Sequence, residues 1–142
     1  MRGLLDVNVL IALLDSDHVH HATASEWLER NLKNGWASCP ITQNGCVRIM
    51  SQPGYTNPLP AAEIAERLAE AASTPHHQFW ADSVSLIDAA CIERSRLLGP
   101  RQVTDAYLLA LATRNNGRFV TFDRSVSLAT VVGAAQKHLC VL

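Results

Sequence analysis

The run LLDVNVLIALLD, residues 4 to 15, begins almost at the N-terminus and is apolar apart from Asp6, Asn8 and the closing Asp15. So apolar a run belongs in a core, as a buried strand leading into a helix. An ionised carboxylate inside it costs several kcal/mol unless it neutralises, pairs with a cation or sits where the strand opens to solvent. Any fold of this chain must give Asp6 one of those outcomes.

The remaining segments supply the frame. Gly3 to Val7 fits a short buried parallel strand with Asp6 at its carboxyl end, and Asn8 is placed to cap the helix that follows, as Thr104 is for a later one, with a role in a site as the second reading of both. HATASEWLERNLKN sets Ala24, Trp27, Leu28 and Leu32 at helical spacing and stops before Gly35. GWASCP reads as a strand, ITQNGCVRIMSQ as a helix whose pattern is broken by Gly45, and PGYTNPLP as a loop. AAEIAERLAEAAS is a helix with Ile64, Leu68 and Ala71 on one face. HQFWADSVSL reads as strand and turn, Asp88 is placed to cap a helix AACIERSRLLG, and Thr104 to cap a helix over TDAYLLALATRNN. RFVTFD and HLCVL are the last strands. Alternating strands and helices predict an α/β fold on a mostly parallel sheet, with residues 1–142 as one domain.

A length of 142 residues, 48% hydrophobic and 18% charged, suffices for a core without disulfides or a structural metal. The net charge of −1 gives no support for nucleic-acid binding, so such a role must rest on local patches. Residues 58 to 90 hold five acids against Arg67, whereas 91 to 124 hold six arginines against Glu93, Asp105 and Asp123. Cys39, Cys46, Cys91 and Cys140 form no C-x-x-C pair and have no histidine at zinc-ligand spacing, which fits small core residues in a reducing compartment. His18, His20, His21, His76 and His77 read as polar connectors. Asp6 and Asn8 interrupt what would otherwise resemble a signal peptide, and no run approaches a membrane span, so a cytoplasmic location is expected.

Asp6 and Asp123 each end an expected strand, and Asp105 opens the helix that leads into the second of them. In open α/β sheets, functional groups gather beyond the carboxyl ends of strands, so these three carboxylates can converge. Like charges a few ångströms apart persist as anions only with a cation between them, and oxygen ligands alone select Mg²⁺ or Mn²⁺. Such a site suits phosphodiester hydrolysis. Taken singly, Asp105 also fits a first-turn acid facing its helix dipole and Asp123 a turn residue; Asp6 has no comparably simple structural role.

Together, LLDVNVLIALL, CPITQNGCVRIMS, VTDAYLLALATRNNGRFVTFD and the closing strand resemble the PIN-domain ribonucleases, specifically the VapC toxins of VapBC toxin–antitoxin pairs. The resemblance spans nearly the whole chain. It implies a PIN-like fold, a central mostly parallel sheet of four to five strands flanked by helices, and an acidic pocket for Mg²⁺ in which Mn²⁺ can substitute. It also implies endonucleolytic cleavage of RNA (tRNA, rRNA or mRNA), a cognate VapB-type antitoxin and a homodimer. Asp6, Asp105 and Asp123 match the family's metal-binding and catalytic acids. Gln43 stands where similar members carry a glutamate, and as a catalytic residue it would keep the length and one acceptor oxygen but lose the charge. Arg48, Arg114, Arg118 and Arg124 are candidates for contacts to the RNA backbone.

Two rival readings stand beside the nuclease. One is a PIN-fold module, weakened by Gln43, that binds RNA or an antitoxin without cutting. The other is a phosphoryl-accepting domain built on Asp6, which lacks the neighbouring acid and nearby lysine such sites use, since position 8 is Asn and the only lysines are Lys33 and Lys137.

Overall fold

The computed structural model describes residues 1–142. Its centre is a five-stranded sheet, entirely parallel, in the order β3-β2-β1-β4-β5: β1 Gly3–Leu5, β2 Trp36–Ser38, β3 His77–Phe79, β4 Arg118–Thr121 and β5 Leu139–Val141. Parallel strands need long crossovers, and helices supply most of them: α1 Val7–Leu14 and α2 His21–Asn31 lead to β2, α3 Pro40–Met50 and α4 Ala61–Ala72 to β3, and α5 Val103–Arg114 to β4. The chain adds strands on one side of β1 up to β3, then crosses back to add β4 and β5 on the other. The strand order therefore reverses between β1 and β4, and the crevice beyond their carboxyl ends is the place where such sheets hold ligands.

Two apolar clusters cover the sheet. One gathers Leu5, Val9, Leu10, Ile11, Ala24, Trp36, Cys46, Met50, Ile64, Leu68 and Val120 among α1 to α4; the other gathers Leu4, Ala37, Trp80, Ile92, Phe119 and the apolar side of α5. Leu4 and Leu5 fall into different clusters, as the two-residue period of a strand requires. The run of buried residues from Ala106 to Ala112 makes α5 apolar almost all round, which explains its weak sequence periodicity.

Several local expectations are corrected. Asp6, not Asn8, caps α1: its Oδ1 accepts from the Val7 N–H at 2.7 Å, so the strand stops at Leu5. The α5 helix starts one residue before Thr104 with Gln102 at its cap position, and the Gln102 side chain instead accepts from the Leu98 N–H at 2.8 Å. No α-helix forms over 89–99. Ile92 pairs with Val131 in an isolated antiparallel bridge and is 1% exposed, and only a 3₁₀ turn at Arg94–Arg96 follows. Gly45 does not break α3; a Cβ there would lie 2.7 Å from Val7 Cγ2, so the glycine lets α1 and α3 close on each other. All four cysteines are free thiols, and Cys39 and Cys46 are buried. No helix is long and apolar enough to cross a membrane.

Candidate active site

The reversal of strand order puts Asp6, one residue past β1, beside Thr121, the last residue of β4, with Asp123 two residues further on. The Asp6 backbone N–H donates to Val120 O at 2.9 Å, and the Thr121 hydroxyl donates to Asp6 Oδ2 at 2.7 Å. The same Thr121 Oγ1 accepts from the Asp123 N–H at 3.0 Å, so one hydroxyl fixes both acidic segments. With Val7 N–H on its other oxygen, the Asp6 carboxylate is locked in place although only 7% exposed. Asp105 lies in the first turn of α5, half-buried, and Asp123 is exposed, its Oδ1 taking the Ser125 N–H at 2.7 Å and hydroxyl at 2.6 Å.

Each of the three acids feels the charge or a hydrogen bond of at least one other. Burial pushes the Asp6 carboxyl above its usual range, against the pull of Thr121 and Val7, and the Asp123 charge adds to the rise. Asp105 is pushed up to about 6, first by burial, then by the charges of Asp6 and Asp123 and a hydrogen bond towards Asp123. Asp123 moves the opposite way, held down chiefly by the hydroxyl and N–H of Ser125. No cation of the chain answers these charges, because the ion pairs are the exposed Arg30–Glu26 and Arg67–Glu63. The donor set is oxygen only, which fits a hard divalent ion. No three Asp, Glu, His or Cys side chains stand close enough together to hold a metal ion by themselves, so Asp6, Asp105 and Asp123 do not form a complete ligand set as they are placed here.

Gln43 makes its hydrogen bond to a group other than the acids. Its Nε2 donates to Ser38 Oγ at 2.9 Å, Ser38 Oγ lies 2.8 Å from His77 Nε2, and Gln43 faces a groove lined by α4. The α3 residues that border the Asp6 cavity are Ile41, Asn44, Gly45, Arg48 and Ile49, and Asn44 also borders the groove that Gln43 faces. The arginines divide by sheet edge. Arg48 and Arg124 are exposed on the side of the acids. Arg114 ends α5, and Arg118 opens β4 with its N–H on Arg2 O at 3.0 Å, so both sit at the amino edge, away from the site. In a parallel sheet a helix leading into a strand runs antiparallel to it, which separates Asp105 from Arg114 by the length of α5. Asn44 was missed from sequence; a helical wheel through Arg48 would have found it.

Two results follow. Without metal, Asp105→Asn should stabilise the protein by about 1 kcal/mol at pH 7.5, because a carboxyl raised on folding binds protons better in the native state and destabilises it once ionised. The gain should shrink as pH falls from 7.5 to 5, where the wild-type carboxyl takes up its proton; urea unfolding of both proteins across that range measures it. Gln43→Glu should leave Mn²⁺ affinity within about twofold of wild type and raise the pKa of His77, because the new carboxylate joins Ser38 and His77 and not the acids. Mn²⁺ titration and imidazole NMR read the two effects.

Comparison with known proteins identifies the family. The PIN domain family matches residues 3–131. The chain is 56% identical over 142 residues, all of both proteins, to Ribonuclease VapC44 of Mycobacterium tuberculosis. It is 44% identical to Ribonuclease VapC39 of the same organism, covering 96% of this chain and 99% of the relative. Among solved structures, Mycobacterium tuberculosis VapC20, a Sarcin-Ricin loop cleaving toxin, superposes with a TM-score of 0.63 at 13% identity over 93% of this chain and 98% of that one. VapBC2 from Rickettsia felis, bound to a DNA fragment from their promoter, gives a TM-score of 0.60 at 16% identity over 87% and 89%. At such identities the two structures speak for the fold. An oxygen-lined site at the reversal of a parallel sheet, on a chain matched by these ribonucleases along its whole length, places the protein in the PIN-domain family as a VapC-type ribonuclease.

Proposed function

We propose that the chain is a Mg²⁺- or Mn²⁺-dependent endoribonuclease, the toxin of a type II toxin–antitoxin pair. The observation that carries this reading is the mutual influence of Asp6, Asp105 and Asp123 with no cation of the chain in an ion pair with any of them. The chemistry supplied by a divalent ion held there is neutralisation of charge developing on the phosphate and activation of water at neutral pH. The chain's own part is to hold the acids still. Thr121 and Val7 fix Asp6, Ser125 fixes Asp123, and the start of α5 delivers Asp105 from the opposite face of the sheet. Arg48 and Arg124 would hold phosphates flanking the cut, since both are exposed on the acidic side, whereas Arg114 and Arg118 are withdrawn from that role.

A VapB-type antitoxin as partner, and a homodimer as the working form, belong to the same proposal; the Rickettsia felis structure of a VapBC assembly on a related fold supports the partnership. The alternative of a binding module weakened at Gln43 gains no support from a side chain engaged with Ser38.

With Mg²⁺ or Mn²⁺ the protein should cut RNA internally, and EDTA should stop it. Asp105→Ala should lower the rate by about 100-fold or more while circular dichroism and thermal unfolding show the fold intact. Cleavage that persists in EDTA, or that survives Asp105→Ala, would remove the metal-dependent reading.

A further inference from the structure

Two polar side chains in capping positions by sequence are free in the structure. With Asp6 capping α1 and Gln102 at the cap position of α5, neither Asn8 nor Thr104 is used by its helix. Both are exposed and line a cavity of about 400 Å³ with Asn44 and Arg48 of α3, and Asp6 forms part of its wall. None of these four side chains makes a hydrogen bond or ion pair within the chain, in contrast to Gln43 one residue away. Ile41, 36% exposed, and Ile49 give the cavity an apolar side. The close approach of α1 and α3 at Gly45 and Val7 brings the two amides to one opening.

We infer that this cavity is a base-reading subsite, taking one RNA nucleotide next to the scissile phosphate. The inference rests on the ribonuclease reading above. A side-chain amide presents an acceptor and two donors in one plane, the pattern that pairs with adjacent donor and acceptor groups on a base edge. RNA is read through unstacked bases whose edges are open and whose faces lie on flat or apolar surfaces. Asn8 and Asn44, carried on separate helices, supply the edge contacts; Ile41 and Ile49 supply the face; Arg48 takes the phosphate; and Thr104 offers a hydroxyl beside the acids. The volume is in the range of small-ligand sites. Asp6 in the wall sets the bound nucleotide directly beside the proposed cutting position.

The test uses fluorescently labelled hexaribonucleotides of A, C, G and U. Binding is measured in EDTA at low salt, and cleavage of the same set in Mn²⁺ or Mg²⁺. Wild type should bind the four with unequal affinity, and Asn44→Ala or Asn8→Ala should narrow the ratio of best to worst on the order of 10-fold. Arg48→Ala should weaken all four alike. Base preference unchanged in both asparagine variants, or absent in wild type, overturns the subsite. Wild type that shows a preference lost in the asparagine variants but cuts nothing keeps base reading at this cavity and removes the nuclease reading, and with it the place beside a scissile phosphate; wild type that cuts with a preference indifferent to Asn8 and Asn44 removes the subsite alone.

Discussion

Beyond the backbone ladder of β1 and β4, one side-chain hydrogen bond, from the Thr121 hydroxyl to Asp6 Oδ2 at 2.7 Å, ties together the ends of the two strands between which the sheet reverses its order. Most of the site follows from it. Thr121 is fully buried, so its hydroxyl must find partners, and it finds Asp6 on one side and the Asp123 backbone on the other. Asp6 spends its second oxygen on the first turn of α1. Strand end, helix start and the neighbouring strand are thus held by one carboxylate, which explains why an acid stands in so apolar a run.

The arrangement is electrostatically incomplete without a cation. Two neutral donors hold Asp6 in place yet do not bring its carboxyl back to the ordinary range, because burial outweighs them. Asp105 is worse off, facing two acids across a half-buried space. A chain seeking only stability would place an apolar residue or an arginine there; this one leaves its arginines at the rim or on the far edge of the sheet. Groups that are destabilised together and answered by nothing in the chain are the mark of a functional site. The identity with VapC ribonucleases along the full length agrees with that reading.

The pattern of strands and helices was legible in the sequence because period, turn residues and chain order are local. The strands over residues 3–5, 36–38, 118–121 and 139–141 and the helices α2 and α4 lie within the segments expected from sequence, and α1, α3 and α5 each begin one residue earlier, at Val7, Pro40 and Val103. What failed depended on contacts remote in sequence. The segment after Asp88 has helical composition, yet Ile92 pairs with Val131, 39 positions on. Gly45 looked like a break because Val7, its packing partner, lies in another element. Among the candidate site residues, the places of the three aspartates at strand and helix ends were legible in the sequence. The directions taken by Gln43 and the arginines were not, since residue type does not tell which face of α3 or which edge of the sheet a side chain meets. Asn8 and Thr104 were assigned to caps that Asp6 and Gln102 occupy, and their freedom is visible only in three dimensions.

The central claim is that a divalent ion offsets the cost of the Asp6 carboxylate. The direct measurement is the free energy of unfolding against Mn²⁺ concentration for wild type and Asp6→Asn, a change that removes the charge and keeps the cap on the amide oxygen, while the contact to Thr121 reverses so that the amide N–H donates to the hydroxyl oxygen. Wild type should gain about 2.7 kcal/mol at a hundredfold excess over the dissociation constant. Asp6→Asn should be at least as stable as wild type without metal and lose most of the gain. An Asp6→Asn protein that keeps the full Mn²⁺ stabilisation, or that is markedly less stable than metal-free wild type, would contradict the account.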